Sequence, residues 1–175
     1  LSVAVARWPF PFLPRHLTIV SALAIGIPGF FLALGPNNTR FQTGFVRRVL
    51  WFAVPAGVII SVSVMIAYGL ARAESVPPDQ ARTAATIAYT IASLWVLVIQ
   101  ARPFNRWKMI LVATMSGLAA LAFIVPFGRS FFDLTLPPTT TLLQSIALGA
   151  AAALALEMTS RLAGRIRRHR ISEAV

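Results

Sequence analysis

The sequence predicts an all-α fold: a polytopic membrane bundle of five transmembrane helices, preceded by the end of a truncated helix. Three observations carry this. Of 175 residues, 57% are hydrophobic and only 12% charged, against about 25% charged in soluble domains, and the mean hydropathy is +0.75. Five apolar segments come close to the roughly 20 residues that cross about 30 Å of hydrocarbon. The basic residues collect in the loops, unequally on the two sides.

The expected spans are 17–34, 49–70, 83–101, 109–127 and 140–158. All belong to one membrane domain, 1–175, whose residues 159–175 form a basic tail. The chain opens on Leu1 and enters directly on the apolar run LSVAVA. Residues 1–6 therefore read as the end of a helix, and the chain as a piece of a longer polypeptide. A short loop follows, rich in Pro and aromatics (Trp8, Pro9, Phe10, Pro11, Phe12, Leu13, Pro14), a composition suited to a membrane interface. The first span is interrupted by Gly26, Pro28 and Gly29 and stops at Gly35, Pro36 and Asn37. The second opens after an arginine-bearing loop. Pro77 and Pro78 precede the third, and Pro137 and Pro138 the fifth.

Orientation follows from Lys and Arg in the loops. Arg40, Arg47 and Arg48, then Arg102, Arg106 and Lys108, then Arg161, Arg165, Arg167, Arg168 and Arg170 lie on one side: eleven cations. Arg7, Arg15, Arg72, Arg82 and Arg129 lie on the other: five. The richer side is expected in the cytoplasm, with the C-terminus. Fifteen of sixteen cations are Arg and Ala is abundant, so the expected location is a bacterial plasma membrane. The net charge of +11 is thus read as topology, with the lipid bilayer as partner and no nucleic acid. Cysteine is absent, which excludes disulfides and thiol ligands within the chain.

The interrupted first span bears most directly on function. A Pro inside a helix removes a backbone hydrogen bond and crowds the preceding turn, at about 3 kcal/mol or more. In hydrocarbon the freed carbonyl has no water to turn to. Broken spanning helices therefore occur where neighbours, or a cavity for an ion or substrate, satisfy the backbone. Thr83, Thr86, Tyr89, Thr90 and Ser93 recur at three- and four-residue spacing in the third span. They are expected to face other helices and bond across to them, or to line part of an ion path. Glu157 is the one carboxylate within an expected span. With Arg161 four residues on, it reads as an ion pair at the cytoplasmic end rather than a proton relay. His16 beside Arg15 reads as an interfacial polar residue, and His169 as part of the tail.

The run Leu13-Pro14, Arg15-His16-Leu17, Gly26-Ile27-Pro28 and Leu32-Ala33-Leu34-Gly35-Pro36-Asn37 resembles the sixth membrane helix of P-type cation-transporting ATPases. Gly44-Phe45-Val46-Arg47-Arg48 and Ala81-Arg82-Thr83 extend the resemblance to the actinobacterial, calcium-type subgroup. It implies that the chain holds the sixth helix and four supporting helices at the C-terminal end of a pump. The parent would couple ATP-driven phosphorylation of an Asp to cation movement, calcium being one candidate. Mg and ATP are then implied for the parent, and no cofactor for this chain. The family's Asn-x-x-Thr-Asp ahead of the kink falls here on Ser21, Ala24 and Ile25. Thr18, Ser21, Gly26 and Pro28, with Ser93 where other members place Glu or Gln, are the expected ion-pathway residues. Acidic ligands would come from upstream helices. No Asp-Lys-Thr-Gly-Thr sequence and no Gly-rich phosphate loop occurs, so this chain carries no catalytic residues of its own. Two readings compete: a standalone five-helix scaffold or accessory subunit, and an ion-coupled secondary transporter. The second would normally show paired broken helices in two halves.

Overall fold

In the computed structural model, residues 12–34 and 45–172 are described, with their side chains except at 45–48 and 163–172. The truncated helix expected at 1–6 and the loop at 35–44 lie outside the described residues. What is described is helical, and five helices are long and apolar enough to cross a membrane. The chain is an integral membrane protein.

Helix α1 runs Pro14–Ala33. Pro14 opens it because a first-turn residue needs no N–H and its φ is already helical. Helix α2 is Phe45–Ala73 and contains Pro55. It closes in a left-handed turn. Val76 N–H bonds to the Ala71 carbonyl and Ser75 N–H to the Arg72 carbonyl, both at 3.1 Å, with Ser75 at φ 58°. This is the paired arrangement that satisfies orphaned carbonyls at a helix end, and Val76 packs into the same cluster as Ala71. Helix α3 is Pro78–Ala101. Asp79 in its first turn meets the positive end of the helix dipole and pairs with Arg82 at 3.0 Å.

Helix α4, Arg106–Ile124, ends three residues before the expected limit of 127. Val125 is extended (φ −76°, ψ 132°) and Pro126 starts the short helix α5, Pro126–Phe132. A residue before Pro is driven out of the helical region, so an apolar run continuous in sequence is broken in space. The turn is tight: a Cβ on Gly128 would lie 2.7 Å from the Ala122 carbonyl oxygen. Helix α6, Thr139–Ser172, carries the basic segment as a continuation of the last span. At 1.5 Å per residue it is roughly 50 Å long.

Helix α3 is the centre. It packs along α2 and α6, which also touch each other, and its other side meets α1 and α4. Small residues allow this: Ala81, Ala84, Ala85, Ala88, Ala92 and Ala101 are fully buried. Helix–helix contact in lipid depends on such close approach. At Gly149 of α6 an added Cβ would lie 2.9 Å from the Cβ of Ile91. The outward faces carry Trp51, Val54, Val58 and Val62 on α2 and Ile110, Leu121 and Ile124 on α4, all exposed. An apolar surface of that extent is one that lipid or other membrane helices cover.

Candidate functional site

The backbone of α1 changes register at the sequence interruption. Residues Pro14–Val20 are α-helical, Ser21–Gly26 form a π-turn, and Ile27–Ala33 resume the α-helix. Ile27 N–H bonds to the Ala22 carbonyl, five residues back. The next residue, Pro28, has no N–H to give. In the π register the carbonyl left without that donor is Leu23's, and in the α register Ala24's. Single π-turns of this kind are rare and gather at functional sites. A Cβ at Gly26 would lie 3.4 Å from the Ser21 carbonyl oxygen, an ordinary contact, so the wider turn does not itself require glycine there.

The expected pathway residues lie on two faces. Thr18, Ser21 and Gly26 are exposed; Pro28 and Ser93 are buried. The Thr18 hydroxyl donates to the Pro14 carbonyl at 3.1 Å, which leaves its lone pairs as acceptors. On the buried side α1 sets Ile19, Val20 and Ala24 against Tyr89 of α3 and Phe132 of α5. Thr83, Thr86, Thr90 and Ser93 are all buried on α3. Their bonding differs from the expected helix-to-helix pattern. Thr83, Thr86 and Thr90 donate to the carbonyls of Asp79, Arg82 and Thr86, one turn back in the same helix. A Thr in an apolar helix finds its nearest acceptor there. Only Thr83 also reaches a loop in this set of bonds, accepting the Thr135 N–H at 3.1 Å.

Among the described residues, polar contacts join distant parts of the chain at three further places. His16 is buried. Its Nδ1 accepts from Leu13 N–H at 3.5 Å, which assigns the proton to Nε2, 3.4 Å from the Asp133 carbonyl oxygen. Arg15 lies 3.7 Å from the Asp133 carboxylate. At the end of α2, Glu74 accepts from the Thr141 hydroxyl at 2.8 Å and the Gln144 amide at 2.7 Å. These bonds, Thr141's first, hold the Glu74 carboxyl below its ordinary value. At the opposite end, the expected Glu157–Arg161 pair forms at 2.7 Å, and Arg102 joins the same oxygen at 2.9 Å. Neither Arg102–Glu157 nor Glu74–Thr141 has a local sequence signal, because the partners lie 55 and 67 residues apart. Among the described residues no three His, Asp or Glu side chains converge. The oxygens that α1 offers a cation are hydroxyls and backbone carbonyls.

No protein-family model matches the chain, and no solved structure matches it. Curated relatives do. The chain is 44% identical over 144 residues to a calcium-transporting ATPase CtpE of Mycolicibacterium smegmatis, covering 80% of this chain and 18% of that protein. It is 41% identical over 153 residues to the calcium-transporting ATPase CtpE of Mycobacterium tuberculosis, covering 85% and 19%. A probable cation-transporting ATPase exp7 of Streptococcus pneumoniae is 24% identical over 118 residues, 65% of this chain and 15% of that protein. The chain thus spans under a fifth of the length of the relatives it matches.

Proposed function

We propose, from this chain's place in the membrane region of the P-type cation-transporting ATPases, the family to which it belongs, that α1 forms one wall of a calcium path. The π-turn ahead of Pro28 is the observation that carries this. It leaves a backbone carbonyl without its helical donor, within a bilayer that offers no water in exchange. Ser21, the first residue of the π-turn, and Thr18, about one turn before it, add hydroxyl oxygens, and Ser93 adds one from α3. Calcium takes six to eight oxygens, several of them carboxylate. In this reading α1 supplies neutral oxygens, and carboxylates come from other helices of the parent. Helices α2 to α6 brace the wall: α3 holds α1 through Tyr89, and α2 and α6 hold α3.

The parent uses Mg and ATP in this reading. Among the described residues no three His, Asp or Glu side chains converge, and this chain enters the reading through its neutral oxygens. Its own work is to place oxygens and to keep their spacing as the bundle moves. Arginine-rich ends, including the end of α6, face the cytoplasm.

The test is calcium uptake into vesicles carrying the full-length parent, wild type against Pro28→Ala. Restoring an N–H at position 28 gives the stranded carbonyl a partner and withdraws it from the cation. The apparent calcium affinity is then expected to fall about tenfold, equivalent to about 1.4 kcal/mol. Unchanged affinity and rate in a well-folded variant would remove the kink from the path. A parent without a phosphorylatable Asp-Lys-Thr-Gly-Thr would remove the pump reading altogether.

A further inference from the structure

At the arginine-rich end of the bundle one carboxylate holds two guanidinium groups. Glu157, on α6, is only 8% exposed. Its Oε1 accepts from Arg102 Nη1 at 2.9 Å and from Arg161 Nε at 2.7 Å. Its Oε2 is enclosed and, among the described residues, accepts no hydrogen bond. Two positive charges therefore converge on one oxygen carrying part of one negative charge. Their side chains remain 38% and 72% exposed, and a guanidinium has five N–H donors in a planar fork. The outward donors of both forks are fixed close together and under-neutralised. Lys108 adds to the same field, its ammonium donating to the Pro103 carbonyl at 3.3 Å.

We propose that this end of the α3–α6 seam binds the phosphate headgroup of an anionic phospholipid, with Arg102 and Arg161 as the clamp. Charge complementarity selects an anion, and planar guanidinium pairs suit phosphate oxygens. The surroundings select a lipid rather than a free anion. Phe104, half exposed, lies under the Arg102 guanidinium at 6.0 Å, an aromatic placed as at a membrane interface. On α6 itself Leu154, Met158 and Leu162, within two turns of Arg161, are exposed, an apolar surface for acyl chains. Glu157 acts as the buried base of the site: it fixes both arginines without saturating them. The inference rests on the chain crossing a membrane, not on the pump reading.

The experiment is lipid retention by the delipidated full-length protein in detergent, without ATP, by native mass spectrometry. Phosphatidylglycerol, phosphatidylcholine and inorganic phosphate are the three probes. A cation near an anionic lipid surface contributes enough for about a fivefold change in affinity. Arg102→Gln and Arg161→Gln should each raise the phosphatidylglycerol dissociation constant about fivefold, and the pair about 25-fold. Arg161→Lys, which keeps the charge and loses the fork, should recover part of the loss. Arg161 is well exposed, so its variants test the site even if Arg102→Gln misfolds. Equal retention of phosphatidylglycerol and phosphatidylcholine, wild-type retention by Arg161→Gln, or full displacement by millimolar inorganic phosphate would each overturn the proposal. Because no turnover is measured, loss of the pump reading would leave the result standing.

Discussion

Replacing Gly149 by Ala tests whether α3 and α6 are as close as the fold requires. The new Cβ would sit 2.9 Å from the Cβ of Ile91, 3.1 Å from its Cδ1 and 3.2 Å from its Cγ2. The shortest contact is to Cβ, which no rotation of Ile91 can move, and Cγ2 is held by the stiff branched χ1; only Cδ1 can swing away. Overpacking of this kind costs about 1–3 kcal/mol. Against it stands the helix preference of Ala over Gly, about 1 kcal/mol. The net expectation is a loss of up to about 2 kcal/mol. A denaturing-detergent titration followed by tryptophan fluorescence reads it, since Trp95 packs in the same seam with Ala92, Ala152 and Leu156. The origin of the loss is separable. Ile91→Ala removes the two longer contacts and keeps the 2.9 Å one, so Gly149→Ala should still be destabilising on that background. Ile91→Gly removes the Cβ itself, and the penalty should vanish. A Gly149→Ala protein more stable than wild type by the full helix-preference gain would refute a close α3–α6 contact.

Ser75→Gly should stabilise the protein by about 1 kcal/mol in the same titration, because a left-handed φ of 58° strains any residue with a Cβ and leaves Gly unstrained. Glu74→Gln should change the pH dependence of stability. The folded carboxyl lies below its ordinary 4.5, so its contribution is complete above that value and lost as pH falls through the lower folded one. The gap between wild type and variant should be constant near neutrality and close in acid; a gap unchanged down to the acid limit would show that Glu74 is not held as a carboxylate. Thr141→Val should reproduce part of the Glu74→Gln effect, being the first of its two partners.

The spans were legible because length and apolarity are local properties; the helix starts were not, since Pro14 and Pro78 read as loop residues, whereas each opens a helix, where a fixed φ and a missing donor cost nothing. The π-turn was legible as an interruption, from Gly26 and Pro28, but not as a π-turn. A missing N–H says that the ladder breaks, and the packing on both sides decides how. With Val20 and Ala24 held against Tyr89, and Phe31 and Leu32 held beside Leu97 and Leu111, the two halves of α1 are each fixed in rotation. One extra residue between them, about 100° of turn, is what lets both stay seated. The end of α4 was misjudged at 127 because Val125, Pro126 and Phe127 are as apolar as the helix before them, and hydropathy is blind to the conformation Pro imposes on its neighbour.

The polar contacts were legible only where the partners share a helix. Glu157 and Arg161 are four apart, and the pair follows from helical geometry alone. Arg102 reaches the same oxygen only because α3 lies beside α6, and α3 lies there because its alanines permit it. The same dependence bears on the cation path. Ser93 is buried on α3, four residues from Tyr89, which packs against α1, so the ligand role proposed for it depends on the packing of α3. A substitution that pushes α3 and α6 apart at Gly149 should therefore shift Ser93 relative to the π-turn and alter calcium affinity without touching an oxygen. If Gly149→Ala weakens the bundle and leaves uptake affinity unchanged, α3 braces α1 without contributing to the path.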